Sequence, residues 1–385
     1  MSARVVVFAG TRADLFPLAS VLRALADADD LAVTLLAVGT VTDAGFGDPL
    51  SDLDLAGVDV ELLTDAPAAS DYRSTTEGGI RISAAMAASL ERLDPQACVV
   101  LGDRWELLYA VPPVVLRGVP LVHLHGGEIT EGAVDDRIRH AVSKLADLHC
   151  VSTEAAAARL RRLGEPADRV VVTGAPSLDR ISQVAPASDE RLAELLGQDL
   201  VRPFALVTYH PVTAGGPTPE AGAGSVLDAV ADTVGSALVT HPGLDAGREA
   251  VLARLARAQA EHPELVGVAA LGADYLSVLA AADVVVGNSS SGVIEAASLG
   301  VPVVNVGDRQ RGRERGANVI DADETSASIA AAIRTALDPA FRARARHAVN
   351  PYGDGKAAPR IVDVVRRAVR AGDALSRKPF EADQP

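Results

Sequence analysis

Short apolar runs alternate with stretches of helical period along almost the whole chain. In the first half the pattern predicts strands at Arg4–Ala9, Ala32–Val38, Val58–Leu63, Ala97–Leu101, Pro120–His125, Leu148–Ser152 and Arg169–Thr173. Between them, helices are predicted over Pro17–Ala28, Thr75–Leu93, Trp105–Leu116, Val134–Ala146 and Glu154–Leu163. The second half repeats the plan, with strands at Ala205–Tyr209, Ala237–Thr240, Val266–Leu271, Val284–Gly287, Val301–Val306 and Ala317–Ile320. Runs that are apolar on both faces and separated by helices specify parallel sheets covered on both sides. The Pro- and Ser-containing stretch Gln183–Arg191 reads as a hinge. The fold class predicted is therefore α/β, with two doubly wound Rossmann-like domains facing each other across a cleft. Residues 1–183 form the first domain and 184–355 the second; a helix over 356–373 is expected to pack back on the first. A flexible tail is expected over 374–385.

Composition narrows the function. The chain has 385 residues, 48% of them apolar and 23% charged, which is ordinary for a globular protein with a large core. Its 36 basic and 51 acidic residues leave a net charge of −15. That sign argues against nucleic acid, which requires a basic face, and against docking on anionic lipid. A small anionic substrate remains compatible, because a local arginine cluster outweighs the global charge at short range. Cys98 and Cys150 lie in apolar strand-like runs and read as core residues. The start MSARVVVFAG passes straight from a strand into a turn, and no stretch of about eighteen uninterrupted apolar residues follows. A soluble, cytoplasmic protein is expected.

In open parallel sheets ligands sit beyond the carboxyl ends of the strands, so the residues just after strands carry the chemical information. The first strand ends in Gly10-Thr11-Arg12-Ala13-Asp14, a turn that can take an anion at a helix N-terminus or simply join strand to helix. The fourth ends in Gly102-Asp103-Arg104, with Glu106 on the next helix; Asp103 is either a helix cap or a catalytic group. The fifth gives His123-Leu124-His125-Gly126-Gly127-Glu128, where alternation would point both imidazoles the same way. A metal pair is disfavoured because further ligands with suitable spacing are missing, leaving acid–base or structural roles. The glycine pair implies close approach by a ligand or a helix. Asp135 and Asp136 open a helix, either as dipole-favoured caps or as proton-transfer groups.

The second domain offers His210 after its first strand and His241 after its second. It also offers Gly287-Asn288-Ser289-Ser290-Ser291-Gly292, with Glu295 beyond. Glycine and small hydroxyls at a strand-to-helix turn make an anion nest or a plain cap. Arg309, Arg311 and Arg313 follow a strand within five residues and read as a lid over phosphate.

Taken together, the runs GTRAD, LGDR, HLHGGE, DDRIRHAVSKLADLH, YHPVT, GNSSSGVIE, GDRQRGRERGANVI and YGDGKAAPRI resemble the hydrolysing UDP-N-acetylglucosamine 2-epimerases of the sialic-acid type. They keep order and spacing from about Val5 to Val364, and the stretches Asp135–His149 and Ser289–Val319 are the specific ones. The resemblance implies GT-B architecture with the nucleotide held mainly by the second domain. It implies conversion of UDP-N-acetylglucosamine and water to UDP and N-acetylmannosamine by elimination to a glycal and rehydration. It implies no cofactor and no metal, and an expected homodimer or homotetramer. Asp103, His125, Glu128 and Asp135 become the acid–base candidates, and His210 the group that stabilises the leaving phosphate. Arg12, Asp14, Arg104, Asp136, Arg139, His241, Ser289, Ser290, Gly292, Glu295, Arg309 and Arg313 become the substrate- and UDP-holding set.

Three positions depart from the family pattern. His125 stands where several relatives have Glu, so the base is His125 or Glu128. Leu15 replaces a Tyr and Val41 a His, both expected on the sugar side, which opens the choice to an amino- or diacetamido-sugar carried on UDP, or to a different nucleotide. A UDP-sugar glycosyltransferase and a catalytically silent nucleotide-sugar sensor are the alternative functions.

Overall fold

A computed structural model describes residues 2–38, 41, 50, 53, 55–64, 72–130, 134–212, 216–242, 247–376 and 378; the side chains of residues 12, 13, 373 and 376 lie outside that description. The chain forms two compact units. The first comprises residues up to Glu128, Val134–Arg180 and the chain from Tyr352 onward; the second comprises Ile181–Pro351 together with Ile129 and Thr130.

The first unit holds seven parallel strands: β1 (Ala3–Ala9), β2 (Leu31–Val38), β3 (Val58–Thr64), β4 (Ala97–Leu101), β5 (Leu121–Leu124), β6 (Leu148–Val151) and β7 (Val170–Val172). Their order is β3-β2-β1-β4-β5-β6-β7. The doubly apolar strands explain the two-sided core. Along β1, Val5, Val7 and Ala9 point into one apolar layer, while Val6 and Phe8 point into the other. The helix Ala357–Ala371 covers the first layer beside helix Arg12–Ala26, burying Ile361, Val365 and Ala368 completely. Cys98 and Cys150 are free and buried in these layers.

The second unit holds β8 (Phe204–Thr208), β9 (Ser236–Thr240), β10 (Leu265–Val268), β11 (Val284–Gly287), β12 (Val303–Val306) and β13 (Val319–Ala322). They are parallel in the order β10-β9-β8-β11-β12-β13. Each sheet therefore reverses its chain order once, at β1/β4 and at β8/β11. Such a switch point leaves a crevice at the carboxyl ends of the strands.

Several boundaries differ from expectation. The first helix begins at Arg12, not Pro17, because Asp14 closes its first turn on the backbone of Gly10 and Thr11 while Pro17 sits inside. The end of the expected hinge is helical: Ser188 caps helix Asp189–Leu196, its Oγ accepting from Arg191 N at 3.2 Å. Leu375 is buried in the first unit's core, so ordered chain continues past 374; residues 377 and 379–385 of the expected tail lie outside the described residues. No helix among the described residues is long and apolar enough to cross a membrane.

Gly287 ends β11 at φ +140°, where an added Cβ would stand 1.9 Å from the Thr208 carbonyl oxygen. Gly287→Ala is expected to lower stability by about 3 kcal/mol or more, through strain and a backbone clash. Urea unfolding of the variant against the parent checks this.

Candidate active site

The register of the first sheet decides which residues emerge together. Leu101 pairs with Leu124, and Leu124 with Cys150. Asp103, His125 and Ser152 therefore leave the carboxyl ends of three adjacent strands. His125 lies one residue beyond β5 and adopts φ +61°, a left-handed conformation rare without glycine. The alternation argument for two parallel imidazoles therefore fails. His123 is fully buried, with Nε2 2.8 Å from the Gly102 carbonyl oxygen and Nδ1 3.1 Å from Ser143 Oγ. Burial pushes its pKa down to about 3, so it is a neutral structural residue.

His125 turns instead to Glu128. Its Nδ1 lies 2.6 Å from Glu128 Oε1, and Ser152 Oγ donates to the same oxygen at 2.7 Å. Nε2 is buried and has no hydrogen-bond partner among the described residues. The tight return from His125 to Glu128 needs both intervening glycines. A Cβ on Gly126 would stand 2.9 Å from Ser143 Oγ, and one on Gly127 would stand 2.5 Å from the Ala156 carbonyl oxygen. Close approach by the helices that carry Ser143 and Ala156 accounts for the pair.

Arg139 ties the constellation together from below. Sequence reading places it against substrate; in the structure it is 1% exposed. Nη1 donates to the Glu128 carbonyl at 2.9 Å and to Asp136 Oδ1 at 3.2 Å, and Nη2 pairs with Asp103. Asp136 also faces His140 Nε2 at 3.5 Å. Asp103 and Asp136 remain partly exposed, as does Asp135 at the front of helix Val134–Leu145. No group of three or more His, Cys, Asp or Glu suited to a metal ion occurs among the described residues.

At the β1/β4 switch point the expected ligand contacts are partly internal. Asp14 Oδ2 accepts from Gly10 N at 3.0 Å and Thr11 N at 2.9 Å, so that oxygen closes the turn instead of meeting substrate. The Arg12 side chain lies outside the described residues. Arg104 Nε sits 3.7 Å from Glu106 Oε2. Glu106 itself was not singled out as a site residue, yet it is 2% exposed and packed on Gly10. Burial drives its pKa up to about 7, opposed by Arg104 and reinforced by the charges of Asp14 and Asp135. The available signal is a carboxylate three residues after Asp103 at the carboxyl end of β4; the capping alternative applies to Asp103 and leaves Glu106 without a role.

Leu15 and Val41 are both fully buried in the apolar layer around helix Arg12–Ala26. Neither side chain is exposed, so both departures fall in the core and not on the expected lining of the sugar side.

In the second unit Thr208 pairs with Gly287, which brings His210 beside Asn288. The two are locked by His210 N to Asn288 Oδ1 at 2.7 Å and Asn288 Nδ2 to His210 O at 2.9 Å. Ser289 and Ser290 open the short helix Ser290–Ile294, and Glu295 follows, buried. Gly292 has a packing role: a Cβ there would stand 3.1 Å from Val303 Cγ1. The arginine run is not an open lid. Arg309 donates to the Asn288 carbonyl at 3.0 Å, and Arg311 pairs with Asp308 at the surface. Arg313 donates to the Ile129 carbonyl at 3.1 Å and to Thr130 Oγ1 at 3.3 Å. His241 follows β9 directly and faces Gly267.

Comparison with known proteins follows the same lines. The sequence model of the family described as UDP-N-acetylglucosamine 2-epimerase matches residues 23–366. The chain is 32% identical to the UDP-N,N'-diacetylbacillosamine 2-epimerase (hydrolyzing) of Legionella pneumophila, over 95% of this chain and 96% of that protein. It is 30% identical to the GDP/UDP-N,N'-diacetylbacillosamine 2-epimerase (hydrolyzing) of Campylobacter jejuni, over 83% and 84%. Among solved structures, the S. aureus MnaA–UDP complex matches the fold with a TM-score of 0.80 at 19% identity, covering 100% of both chains. The chain belongs to the UDP-N-acetylglucosamine 2-epimerase family and is an enzyme of that type. The GT-B fold class expected from sequence is borne out by this likeness.

A carboxyl held near pH 7 instead of its ordinary 4.5 destabilises the fold as pH rises, because the folded state keeps a proton that the unfolded state releases. Glu106→Gln removes that loss. Its stability relative to the parent is expected to rise by about 3 kcal/mol between pH 4.5 and 7 and to stay level above, as denaturant titrations across this range can measure.

Proposed function

We propose that this enzyme is a hydrolysing UDP-sugar 2-epimerase, converting a UDP-linked 2-acetamido sugar and water to UDP and the free sugar inverted at C2. The C2–H of such a sugar has no adjacent carbonyl, so simple deprotonation is out of reach. Elimination resolves this: a base takes the C2 proton, the C1–O bond to UDP breaks, and a C1–C2 double bond forms. Water oxygen then bonds to C1 while a proton is delivered to C2 on the opposite face. The route needs one base, one acid and stabilisation for the departing diphosphate.

The observation that carries the reading is the His125–Glu128 pair. With Nδ1–H directed at a carboxylate, Nε2 is left as a proton acceptor at the carboxyl end of β5. His125 is read as the base and Glu128 as the group that fixes its tautomer. Asp103, held by Arg139, and Asp135 are read as the acid side. On the second unit, His210 stabilises the leaving phosphate, with Ser289, Ser290, Glu295, His241, Arg309 and Arg313 holding UDP. Arg12, Arg104 and Asp136 complete the set on the first unit. The relatives at 32% and 30% identity that cover 95% and 83% of this chain are both named for N,N'-diacetylbacillosamine, whereas one at 31% over 64% of the chain is named UDP-N-acetylglucosamine 2-epimerase. UDP-N,N'-diacetylbacillosamine is therefore the substrate this reading favours, with UDP-N-acetylglucosamine as the alternative.

The reading includes a homodimer or homotetramer. Helices Tyr72–Leu93 and Leu107–Arg117 meet at Gly79 and Tyr109 and leave Ile80, Leu108 and Leu116 exposed, an apolar set suited to self-association.

Incubation with a panel of UDP-sugars in heavy water is expected to release one UDP per sugar, with deuterium at C2 of the product. An unlabelled product, or one that retains UDP, would overturn the route. His125→Gln and Asp103→Asn are each expected to lower kcat by about a hundredfold or more in the same assay.

A further inference from the structure

We infer that the second unit carries a binding site for a small organic oxyanion, a carboxylate or a phosphate ester, at the opposite end of its sheet from His210 and the serine turn. A cavity of about 310 Å³ opens there, and pockets that hold one small molecule run from about 300 to 1,000 Å³. Its charged lining consists of Arg202, Asp283, Arg342 and Arg346, all from the second unit. Arg202 stands before β8, Asp283 directly before β11 and Pro302 directly before β12. The cavity therefore lies at the amino ends of these strands. β11 leads from Asp283 at this end to Gly287 and the serine turn at the other.

Asp283 organises the wall. Its carboxylate is buried; Oδ2 accepts from Phe204 N at 2.9 Å and from Arg202 Nη1 at 2.8 Å, and Oδ1 accepts from Arg342 Nη2 at 2.8 Å. Arg202 is held a second time, donating to Asp189 Oδ1 at 2.7 Å. With both oxygens engaged, Asp283 does not present a cation site; it fixes two guanidiniums in place. Arg346 follows Arg342 by four residues at the end of helix Pro339–Ala345, so the two project from one face. The chain comes close there because residue 300 is glycine: a Cβ on it would stand 3.0 Å from Arg346 Cα. The Arg346 guanidinium has no ion pair or hydrogen bond among the described residues. Like charges one turn apart repel, and Asp283 compensates Arg342 but not Arg346. Three guanidiniums thus meet one carboxylate in this lining, within a chain whose net charge is −15. An oxyanion between Arg342 and Arg346 supplies the missing negative charge, and the guanidinium fork matches paired carboxylate or phosphate oxygens. Ala187, Leu299 and Pro302 make part of the wall apolar, which suits an organic body on the anion better than a bare ion.

The inference stands apart from the epimerase reading, because binding is read without turnover. The test is calorimetric titration of the full chain with phenyl phosphate and with benzoate, in about 0.15 M sodium chloride so that exposed charges are screened. At least one of the two is expected to bind, one per chain, and the better binder tells the phosphate source from the carboxylate. Arg346→Gln, which breaks no contact among the described residues, should raise the Kd of that anion about tenfold or more. Arg346→Glu should abolish binding, and both variants should keep parent-like circular dichroism. Ser290→Ala, at the other end of β11, should leave the Kd within about twofold of the parent. Phenylglyoxal modification of Arg346, followed by mass spectrometry, should be slowed by the bound anion and not by uridine. Absence of binding by both anions overturns the inference, as does a Kd unchanged in Arg346→Gln. Binding lost in Ser290→Ala but kept in both Arg346 variants also overturns it, since the anion would then occupy the serine turn.

Discussion

The buried guanidinium of Arg139 is the contact on which the first unit's site depends. One side chain holds Asp103 after β4, the Glu128 carbonyl after β5 and Asp136 on its own helix. Removing one partner from such a buried charge network typically costs about 3–5 kcal/mol, because the remaining charges stay desolvated. Three segments that share no secondary structure are given one fixed relation, and the carboxylates stay partly exposed while their anchor does not.

Both units apply one topological rule to different chemistry. At the β1/β4 switch, backbone N–H groups close on Asp14, and Glu106 fills the space that Gly10 leaves. At the β8/β11 switch, the register of Thr208 with Gly287 puts His210 and Asn288 side by side, and reciprocal hydrogen bonds fix them. The first arrangement gathers titratable groups. The second gathers small polar groups and backbone donors, the chemistry suited to a diphosphate.

Two features run against stability. His125 holds a left-handed backbone without being glycine, and Glu106 buries an oxygen without a donor. Each is the kind of unfavourable local choice that persists where surrounding structure over-determines it, and both fall at carboxyl ends of strands. Glu165, by contrast, is equally buried but accepts from His149, Lys144 and Lys378, and its pKa falls to about 2. Burial alone therefore does not raise a carboxyl's pKa; hydrogen-bond donors and cations at Glu165 outweigh it, and at Glu106 they do not.

The doubly apolar strands, the alternating helices and the residues just past each strand were legible in the sequence, because parallel strands bury both faces and their polar residues can only follow them. The local motifs were legible too, down to the His125–Glu128 segment. What the chain alone could not decide was which of these polar groups meet solvent and which meet each other. Arg139 and Asp14 read as ligand-binding groups, yet their partners lie within the protein. Leu15 and Val41 read as lining and are core. His125 left the strand one residue early, so alternation assigned it the wrong face. Glu106 is visible in the sequence on the helix after β4 but carries no assigned role there, because its environment comes from residues about ninety positions back and thirty ahead. Hydrophobic period is a local property that sequence records directly; burial of a charge, and the proton it then keeps, depends on neighbours that only the folded chain assembles.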